Sequence, residues 1–523
     1  MLTFFNLIIF ILIVQVIHFA GTWKLYKKAG QPIWSAAVPV YNAIVLTTII
    51  KRPKWWVILL FIPVINLIMF PVFWVETIRS FGKNSKLDTA LVVLTLGLYI
   101  YYINYFDESE YLGSRELKAQ NKAGESLSSV LFAIVAATLV HTYIMQPFTI
   151  PTSSLEKTLL VGDFLFVSKF HYGAKTPQTP VALPMVHDSI PKTGLKSYVS
   201  EIQLPYFRIP GFQEVKRNDI VVFNWPTDTV RMFRDQSGKH YHKPIDKKSN
   251  YVKRAVGVAG DSLSIENGVI YINNKPEQLP ERADIQYSYK VQGKGKGFDP
   301  SLLYSIYDIT DGVGYADRDQ RIYQFQAISE STLEDFKYHP NVASAEPIIM
   351  KKGYKDPSIF PNNGKVNWNR DQMGPVYIPK AGDILPMNEK NFSLYRRLIE
   401  VYEGEEMGIQ QKLTFKNNQV LLNDEAISEY QVKQNYYWMM GDNRHNSEDS
   451  RFWGFVPETH IVGKPVFIWM SWDGNASGFN KIRWNRLFTT VGGDGEPISY
   501  FPYFLMVVAL SLGYRLFKKR KEA

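Results

Sequence analysis

The sequence contains no cysteine, so the protein has neither a disulfide bond nor a thiolate nucleophile. It also lacks the H-E-x-x-H motif of metalloproteases, and its one close histidine pair is His240 and His242. These absences exclude thiol catalysis and leave metal catalysis without a motif. We therefore expect no metal site.

The sequence also lacks a stripe of Arg and Lys interleaved with aromatic residues, although its net charge is +10. We therefore expect no nucleic-acid partner. The basic residues cluster instead at the ends of apolar runs, which is the pattern that membrane topology imposes. The lipid bilayer is the partner that this pattern predicts.

Long apolar runs without a charged residue are typical of membrane-spanning helices, because about 20 residues cross the hydrocarbon layer. The sequence predicts five spans, at residues 2–20, 55–75, 89–103, 127–145 and 500–514. A sixth stretch at 33–50 contains Pro39 and Asn42, and we expect it to lie in the membrane interface rather than to span.

Basic clusters fix the predicted orientation, since they stay in the cytoplasm. Lys24, Lys27 and Lys28 follow the first run, and a strongly basic tail at 515–521 follows the last. Five spans then place residues 148–499 outside the cell. This arrangement also places the loop at 76–88 outside, despite its three basic residues.

The predicted fold is a multi-span α-helical membrane region plus a mainly antiparallel β domain. Short β-branched or aromatic runs separated by Asn and Gly turns, such as 220–223 and 269–272, indicate the strands. The predicted domains are an N-terminal membrane region of about three spans and a cytoplasmic loop at 1–126, a transmembrane anchor at 127–146, an extracytoplasmic β-rich domain at 147–499 with insertions near 173–215 and 277–392, and a C-terminal span with a basic cytoplasmic tail at 500–523.

A hydroxyl-rich turn follows the fourth apolar run and offers Ser153 or Ser154 as a nucleophile beside the membrane. Further along, Lys253 lies among apolar residues, which favour a neutral amine that can act as a base. A third segment, at 438–457, is dense in Asp, Asn, Arg and Ser, as a network supporting an active site requires. Each feature alone is more often structural than catalytic.

Taken together and in this order, the segments resemble the signature boxes of bacterial type I signal peptidases, membrane-bound serine/lysine endopeptidases. The resemblance covers residues 146–470. It is carried by Q-P-F-T-I-P-T-S-S-L-E-K-T-L-L-V-G-D-F, K-R-N-D-I-V-V-F, Y-V-K-R-A-V-G-V-A-G-D and G-D-N-R-H-N-S-E-D-S-R-F-W-G-F-V-P. It implies a signal-peptidase-like β fold with insertions.

The resemblance also implies roles for individual residues. Ser154 falls on the nucleophile, Lys253 on its general base, and Thr152 on the hydroxyl that joins the Ser154 backbone N–H in the oxyanion hole. Ser447 falls on the hydroxyl that orients the lysine. The implied supporting network is Asp442, Arg444, Asp449 and Arg451, and the implied substrate pocket is Phe148, Ile150, Pro151, Leu155, Tyr251 and Val252.

The resemblance further implies the removal of signal peptides from secreted preproteins by acyl transfer, without a cofactor, at the outer face of the cytoplasmic (inner) membrane. Preproteins are then the expected substrates. Four positions differ from the residues common in the family: Thr152 stands for Ser, Leu155 for Met, Lys157 for Pro and Ala259 for Pro. None of the four removes a reacting atom.

Two alternative hypotheses compete with the signal-peptidase interpretation. Lys157 creates the S-x-x-K motif of penicillin-binding proteins and β-lactamases, and residues 192–194 supply their K-T-G. That motif needs a substantial helix, whereas Pro151 precedes the serine and Gly162 closes the segment. The other alternative is an inactive membrane scaffold, which the presence of both Ser154 and Lys253 disfavours.

Overall fold

The computed structural model describes residues 4–117, 122–230, 238–295 and 297–522. The chain divides into two compact units. The first comprises Met1–Ile144, Lys175–Ile209 and Thr229–Lys247, and the second comprises Met145–Ala174, Pro210–Asp228 and Lys248–Ala523.

The first unit is helical. Its helices are α1 Phe4–Lys28, α2 Tyr41–Ile49, α3 Trp56–Leu59, α4 Asn66–Ser80, α5 Lys86–Leu94, α6 Tyr99–Tyr105 and α7 Lys122–Leu139, the last continued by a π-helical stretch at Val140–Ile144. Two of these segments are long and apolar enough to cross a membrane, Phe5–Lys28 and Lys122–Ile144. Helices α5 and α6 together would form another span, but they meet at an angle of 114°.

Three of the predicted apolar stretches are divided in the structure. Within 55–75, α3 ends at Leu59 and α4 begins only at Asn66. Pro63 lies in this break, and proline disfavours helical backbone in the residue before it. The stretch at 89–103 is divided between α5 and α6, and at 33–50 only nine residues form an α-helix, α2.

Part of the first predicted insertion, 175–209, groups with the helical unit. The Val64 N–H donates to the Pro180 carbonyl over 3.2 Å. Val64 also shares a small apolar cluster with Ala182 and Tyr198. These contacts account for the grouping of this segment with the helical unit.

The second unit contains the strands and the remaining helices. The strands are β1 Met145–Thr149, β2 Asp163–Ser168, β3 Ile220–Asn224, β4 Asn250–Gly257, β5 Ser262–Glu266, β6 Val269–Ile272, β7 Lys275–Pro276, β8 Gln286–Gly293, β9 Val313–Asp317, β10 Ile322–Ser329, β11 Val342–Pro347, β12 Met373–Tyr377, β13 Ile384–Pro386, β14 Leu413–Lys416, β15 Gln419–Leu422, β16 Glu425–Ile427, β17 Glu429–Gln431, β18 Tyr436–Met440, β19 Val456–Pro457, β20 Ile461–Ser471 and β21 Thr489–Thr490. The helices are α8 Pro300–Tyr307, α9 Glu330–Phe336, α10 Glu389–Arg397, α11 Ser450–Trp453 and α12 Phe501–Glu522.

Helix α12 contains a third segment able to cross a membrane, Phe501–Lys521. The largest sheet has eight strands in the order β1-β2-β20-β3-β4-β18-β19, with β21 paired to β20. All of these pairs are antiparallel. The predicted combination of membrane helices with a mainly antiparallel β domain is therefore confirmed.

Strand β4 lies between β3 and β18 in this sheet, and its residues from Lys253 to Gly257 are buried. Lys253 is paired with Val221 of β3, and Arg254 with Met440 of β18. Because successive side chains of a strand point to opposite faces, Lys253 and Arg254 enter different surroundings. This alternation directs Lys253 to Ser154 and Arg254 to Asp442.

A separate lobe occupies much of the second predicted insertion. Strands β11-β8-β10-β9 form its sheet, and helices α8 and α9 pack against it. Its core includes Val291, Phe325 and Phe336, all buried. The end of that insertion belongs elsewhere, since β12 joins the sheet β12-β5-β6-β7.

Candidate active site

The turn that carries Ser154 follows directly from β1. Two backbone hydrogen bonds, both 2.9 Å long, join the two ends of segment 150–163, which contains this nucleophile turn. Ile150 N donates to Asp163 O, and Gly162 N donates to Ile150 O. Gly162 has a φ of +91°, and a Cβ there would overlap the Trp472 carbonyl. Between these points the chain makes one 3₁₀ turn, Ser153–Leu155, which holds the Ser154 side chain against β4.

The Lys253 amine lies 2.5 Å from Ser154 Oγ. Only 3% of Lys253 and 8% of Ser154 are exposed. Burial lowers the pKa of Lys253 to about 8, although the nearby carboxylates of Asp449, Glu448 and Asp442 act in the opposite direction. About a tenth of this amine is thus neutral at pH 7, and a neutral amine can accept the Ser154 proton.

A buried ion pair lies beside this dyad. The Arg254 guanidinium donates two hydrogen bonds to Asp442, of 2.8 and 2.6 Å, and the Thr158 hydroxyl donates a third over 2.6 Å. Arg254 and Asp442 are 1% and 0% exposed. Thr158 belongs to the segment that closes the nucleophile turn, so the pair ties that segment to β4 and to the loop after β18.

A second buried pair holds the same loop from its other end. Asp449 caps α11 and accepts two hydrogen bonds of 2.8 Å from the Arg451 guanidinium. It also accepts from Gly441 N over 3.2 Å. Burial alone raises the pKa of Asp449, but Arg451 reverses this and holds it below its usual value. Asp449 therefore remains an anion.

A family model described as signal peptidase, peptidase S26, matches residues 123–331 and 376–472 of this chain. These two stretches are more than half of the sequence and include Ser154, Lys253 and the loop after β18. The chain belongs to the S26 signal peptidase family. As a member of this family, it is a serine endopeptidase.

Curated relatives agree with the family assignment. The chain is 27% identical over 378 residues to signal peptidase I of Buchnera aphidicola subsp. Acyrthosiphon pisum, covering 71% of this chain and 83% of the relative. It is 25% identical over 391 residues to signal peptidase I of Haemophilus influenzae, covering 72% and 80%. For signal peptidase I of Helicobacter pylori the identity is 25% over 380 residues, covering 70% and 92%.

The helical unit matches a different model. Residues 34–114 match DUF5684, a family of unknown function. The two matches do not overlap. The peptidase match begins at residue 123, in the first turn of α7. The membrane region before α7 is thus a module outside the S26 match.

Three of the candidate site residues expected from the sequence make no hydrogen bond to Ser154 or Lys253 within the described part of the chain. Thr152 is exposed and extended, at φ −135°. Arg444 lies 3.5 Å from Glu277. The Ser447 hydroxyl is buried and makes no hydrogen bond within the described part of the chain, so the structure does not join it to Lys253.

The expected pocket residues divide between two apolar clusters. Phe148, Ile150, Leu155 and Val252 belong to one cluster of the peptidase domain, whereas Tyr251 belongs to another. Ile150 and Leu155 are only 4% and 1% exposed, whereas Pro151 is exposed.

Lys157, the lysine of the S-x-x-K string, points away from Ser154 Oγ. Its ammonium donates to the Asp308 carboxylate over 2.6 Å and to the Asp308 carbonyl. The turn around Ser154 is a three-residue 3₁₀ turn and not a helix. The arrangement that a penicillin-binding protein requires is therefore not present at Ser154.

Several residues of the S26 site were not anticipated from the sequence. Arg254 and Thr158 complete the Asp442 network. Asn443 and Asn446 contact the nucleophile turn, with partners described below. Among the described residues no group of three His, Asp or Glu side chains could hold a metal ion.

Proposed function

We propose that the protein removes N-terminal signal peptides from preproteins by serine/lysine acyl transfer. The observation that carries the proposal is the 2.5 Å contact between the buried Lys253 amine and Ser154 Oγ. The names of the curated relatives, all signal peptidase I, supply the substrate class. No cofactor enters the reaction.

The proposed reaction has the following steps. Neutral Lys253 accepts the Ser154 proton as Oγ attacks the scissile carbonyl carbon, and the Ser154 N–H and Thr152 hydroxyl stabilise the oxyanion. Lys253 then gives the proton to the leaving amine, and the C–N bond breaks to leave an acyl-serine. Lys253 next takes a proton from water as its oxygen attacks the ester carbonyl carbon, the bond between this carbon and Ser154 Oγ breaks, and Lys253 returns the proton to Oγ.

The decisive experiment is cleavage of a preprotein by the purified full chain in detergent. The wild-type protein should release the signal peptide after an A-x-A sequence, and Ser154→Ala should release none. A preprotein with bulky residues in place of both alanines is the control for site recognition. Equal processing by wild type and Ser154→Ala would refute the proposal.

We also propose an orientation for the membrane region. Basic residues meet Asp107 and Glu76 of the helical unit. Lys28 donates to the Asp107 backbone carbonyl over 3.1 Å, and Lys83 lies 2.5 Å from the Asp107 carboxylate. Arg52 lies 2.9 Å from Glu76, which also pairs with Arg115.

Further contacts join these two groups, since Leu112 N donates to the Ser80 carbonyl and the Arg115 guanidinium donates to the Ser80 hydroxyl. The loops after α1, α2, α4 and α6 therefore share one end of the unit. Charged groups stay out of the hydrocarbon layer, so this end lies at one membrane surface.

A segment whose two ends lie at one surface crosses the membrane an even number of times. This applies to the stretches containing α2, α3 with α4, and α5 with α6. The spans are then α1, α7 and α12. The basic loops and the basic tail lie in the cytoplasm, and the peptidase domain lies outside the inner membrane. The loop at 76–88 moves to the cytoplasmic side, which removes its conflict with the predicted orientation.

Cysteine labelling tests this orientation directly, because the chain has no cysteine of its own. Asn84 and Tyr338 are both exposed, one between α4 and α5 and the other on the peptidase lobe. In spheroplasts a membrane-impermeant maleimide should label Tyr338→Cys but not Asn84→Cys. Both variants should be labelled after permeabilisation. Labelling of Asn84→Cys in sealed spheroplasts would restore the five-span arrangement.

A further inference from the structure

The loop that follows α8 lies against the nucleophile turn. This loop, residues 308–311, belongs to the lobe built by β8–β11 and so comes from the second predicted insertion. It contacts Lys157 directly and is connected to Ser153 through Asn443 and Asn446. Neither the predicted network nor the proposed mechanism uses it.

Asp311 is the residue through which the loop reaches Ser153. Its carboxylate accepts from Asn443 Nδ2 over 2.6 Å and from Asn446 Nδ2 over 3.2 Å. The same two amide nitrogens donate to Ser153, Asn443 to its carbonyl over 3.2 Å and Asn446 to its hydroxyl over 3.0 Å. Each amide thus divides its two N–H groups between Asp311 and Ser153.

The direction of these hydrogen bonds fixes both amides. A carboxylate can only accept, so the NH₂ group of each asparagine must face Asp311, and its other N–H is then aimed at Ser153. Asn443 also donates its backbone N–H to the Ser154 carbonyl over 3.2 Å. The residue before the nucleophile and the nucleophile itself are therefore held by one loop whose amides Asp311 orients.

A second contact keeps the lobe in place. Asp308 pairs with Lys157 over 2.6 Å, and the Thr310 hydroxyl donates to the Glu156 carboxylate over 3.4 Å. The Lys157 side chain is 10% exposed, whereas that of Asp308 is 66% exposed. The 308–311 loop is thus anchored on the C-terminal side of the nucleophile turn while Asp311 acts on its N-terminal side.

We propose that Asp311 is a positioning residue for the nucleophile, acting through Asn443 and Asn446 on Ser153. The inference rests on the proposed function, because it assigns to the lobe a part in Ser/Lys catalysis. Without Asp311 the two amides can turn, and Ser153 loses the donors that fix its carbonyl and hydroxyl. Ser154 then spends less time in line with Lys253, which lowers turnover and leaves substrate binding unchanged.

The test compares Asp311→Ala and Asp311→Asn with Asp319→Asn, an exposed position in the β9–β10 turn of the same lobe. Asp311→Ala should lower kcat about ten- to thirty-fold with KM within about two-fold of wild type. Asp311→Asn keeps an oxygen that can accept from both amides, so it should retain at least about a third of wild-type kcat. Asp319→Asn should match wild type.

Asn446→Ala provides a second route, since Asn446 is exposed and its loss should not unfold the domain. If Asp311 acts through the asparagines, the double variant Asp311→Ala/Asn446→Ala should lose much less than the product of the two single losses. Independent, multiplicative losses would overturn the proposal. So would a kcat for Asp311→Ala within two-fold of wild type, or an equal loss in Asp319→Asn.

These outcomes separate this inference from the proposed function. If wild type and Asp319→Asn process the preprotein and Ser154→Ala does not, the proposed function stands whatever Asp311→Ala does. If wild type itself leaves the preprotein intact, the proposed function fails and this inference fails with it. A melting temperature for each variant shows whether a loss in kcat comes from unfolding.

Discussion

Lys253→Ala should lower kcat/KM for preprotein cleavage by about three orders of magnitude or more. The reason is geometric, because the Lys253 amine is the group within 2.5 Å of Ser154 Oγ. Without it the serine must lose its proton to water, and the leaving amine has no acid beside it. A preprotein cleavage assay over several enzyme concentrations measures the loss.

Lys157→Ala is the matched control, since it removes a lysine three residues from the nucleophile. Lys157 is engaged with Asp308 and does not approach Ser154 Oγ in this arrangement. It should keep at least about a tenth of wild-type activity, a loss of no more than ~1.4 kcal/mol in transition-state stabilisation. Circular dichroism must show both variants folded. A folded, inactive Lys157→Ala beside an active Lys253→Ala would favour the S-x-x-K reading instead.

The candidate dyad of Ser154 and Lys253 is selected from the sequence through the resemblance of several segments taken together, because the hydroxyl-rich turn alone leaves Ser153 and Ser154 open. Ser154 and Lys253 lie far apart in the chain, but each stands in a segment with a recognisable pattern, a hydroxyl-rich turn and an apolar strand. Strands predicted at 220–223 and 269–272 coincide with β3 and β6. Local patterns locate such elements because a β-strand and a tight turn are specified over a few residues.

The supporting network could not be read in the same way. Arg254 and Asp442 pair because β4 and β18 are neighbours and because alternation turns Arg254 away from Lys253. Asp311 reaches the nucleophile turn only because the lobe folds back on it. Local sequence patterns predict neither contact, because the residues that meet lie far apart in the chain.

The membrane region shows the same limit. The apolar run at 55–75 has the length of a span, and composition alone assigns it one. Its break between α3 and α4, and the pairing of Arg52 with Glu76, depend on tertiary contacts. Pro63 and Asn66 within the run were the local signal that a continuous helix is costly there.

Cleavage should rise steeply with pH between pH 6 and pH 8. The sign follows from the base: Lys253 works only when neutral, and burial lowers its pKa to about 8. At pH 6 about one Lys253 in a hundred is neutral, so kcat/KM should lie about a hundred-fold below its alkaline plateau. A profile of kcat/KM from pH 5 to pH 10, with buffers of constant ionic strength, measures this. A flat profile would exclude a lysine base, and a rise centred near about pH 6.5 would indicate histidine.

The variant Glu448→Gln tests whether Lys253 is the group that titrates in the pH profile. The Glu448 carboxylate is one of the charges that raise the pKa of Lys253 against burial, together with Asp449 and Asp442, while Arg451 lowers it. Neutralising Glu448 should therefore lower the pKa of the amine further and move the rise in kcat/KM to lower pH. Glu425→Gln, which removes an exposed carboxylate from β16, should leave the rise in place. If both variants shift the pH of the rise in kcat/KM equally, the titrating group is not Lys253. The pKa of Lys253 should respond to the nearby Glu448 charge and not to the exposed Glu425 charge, which solvent and salt screen.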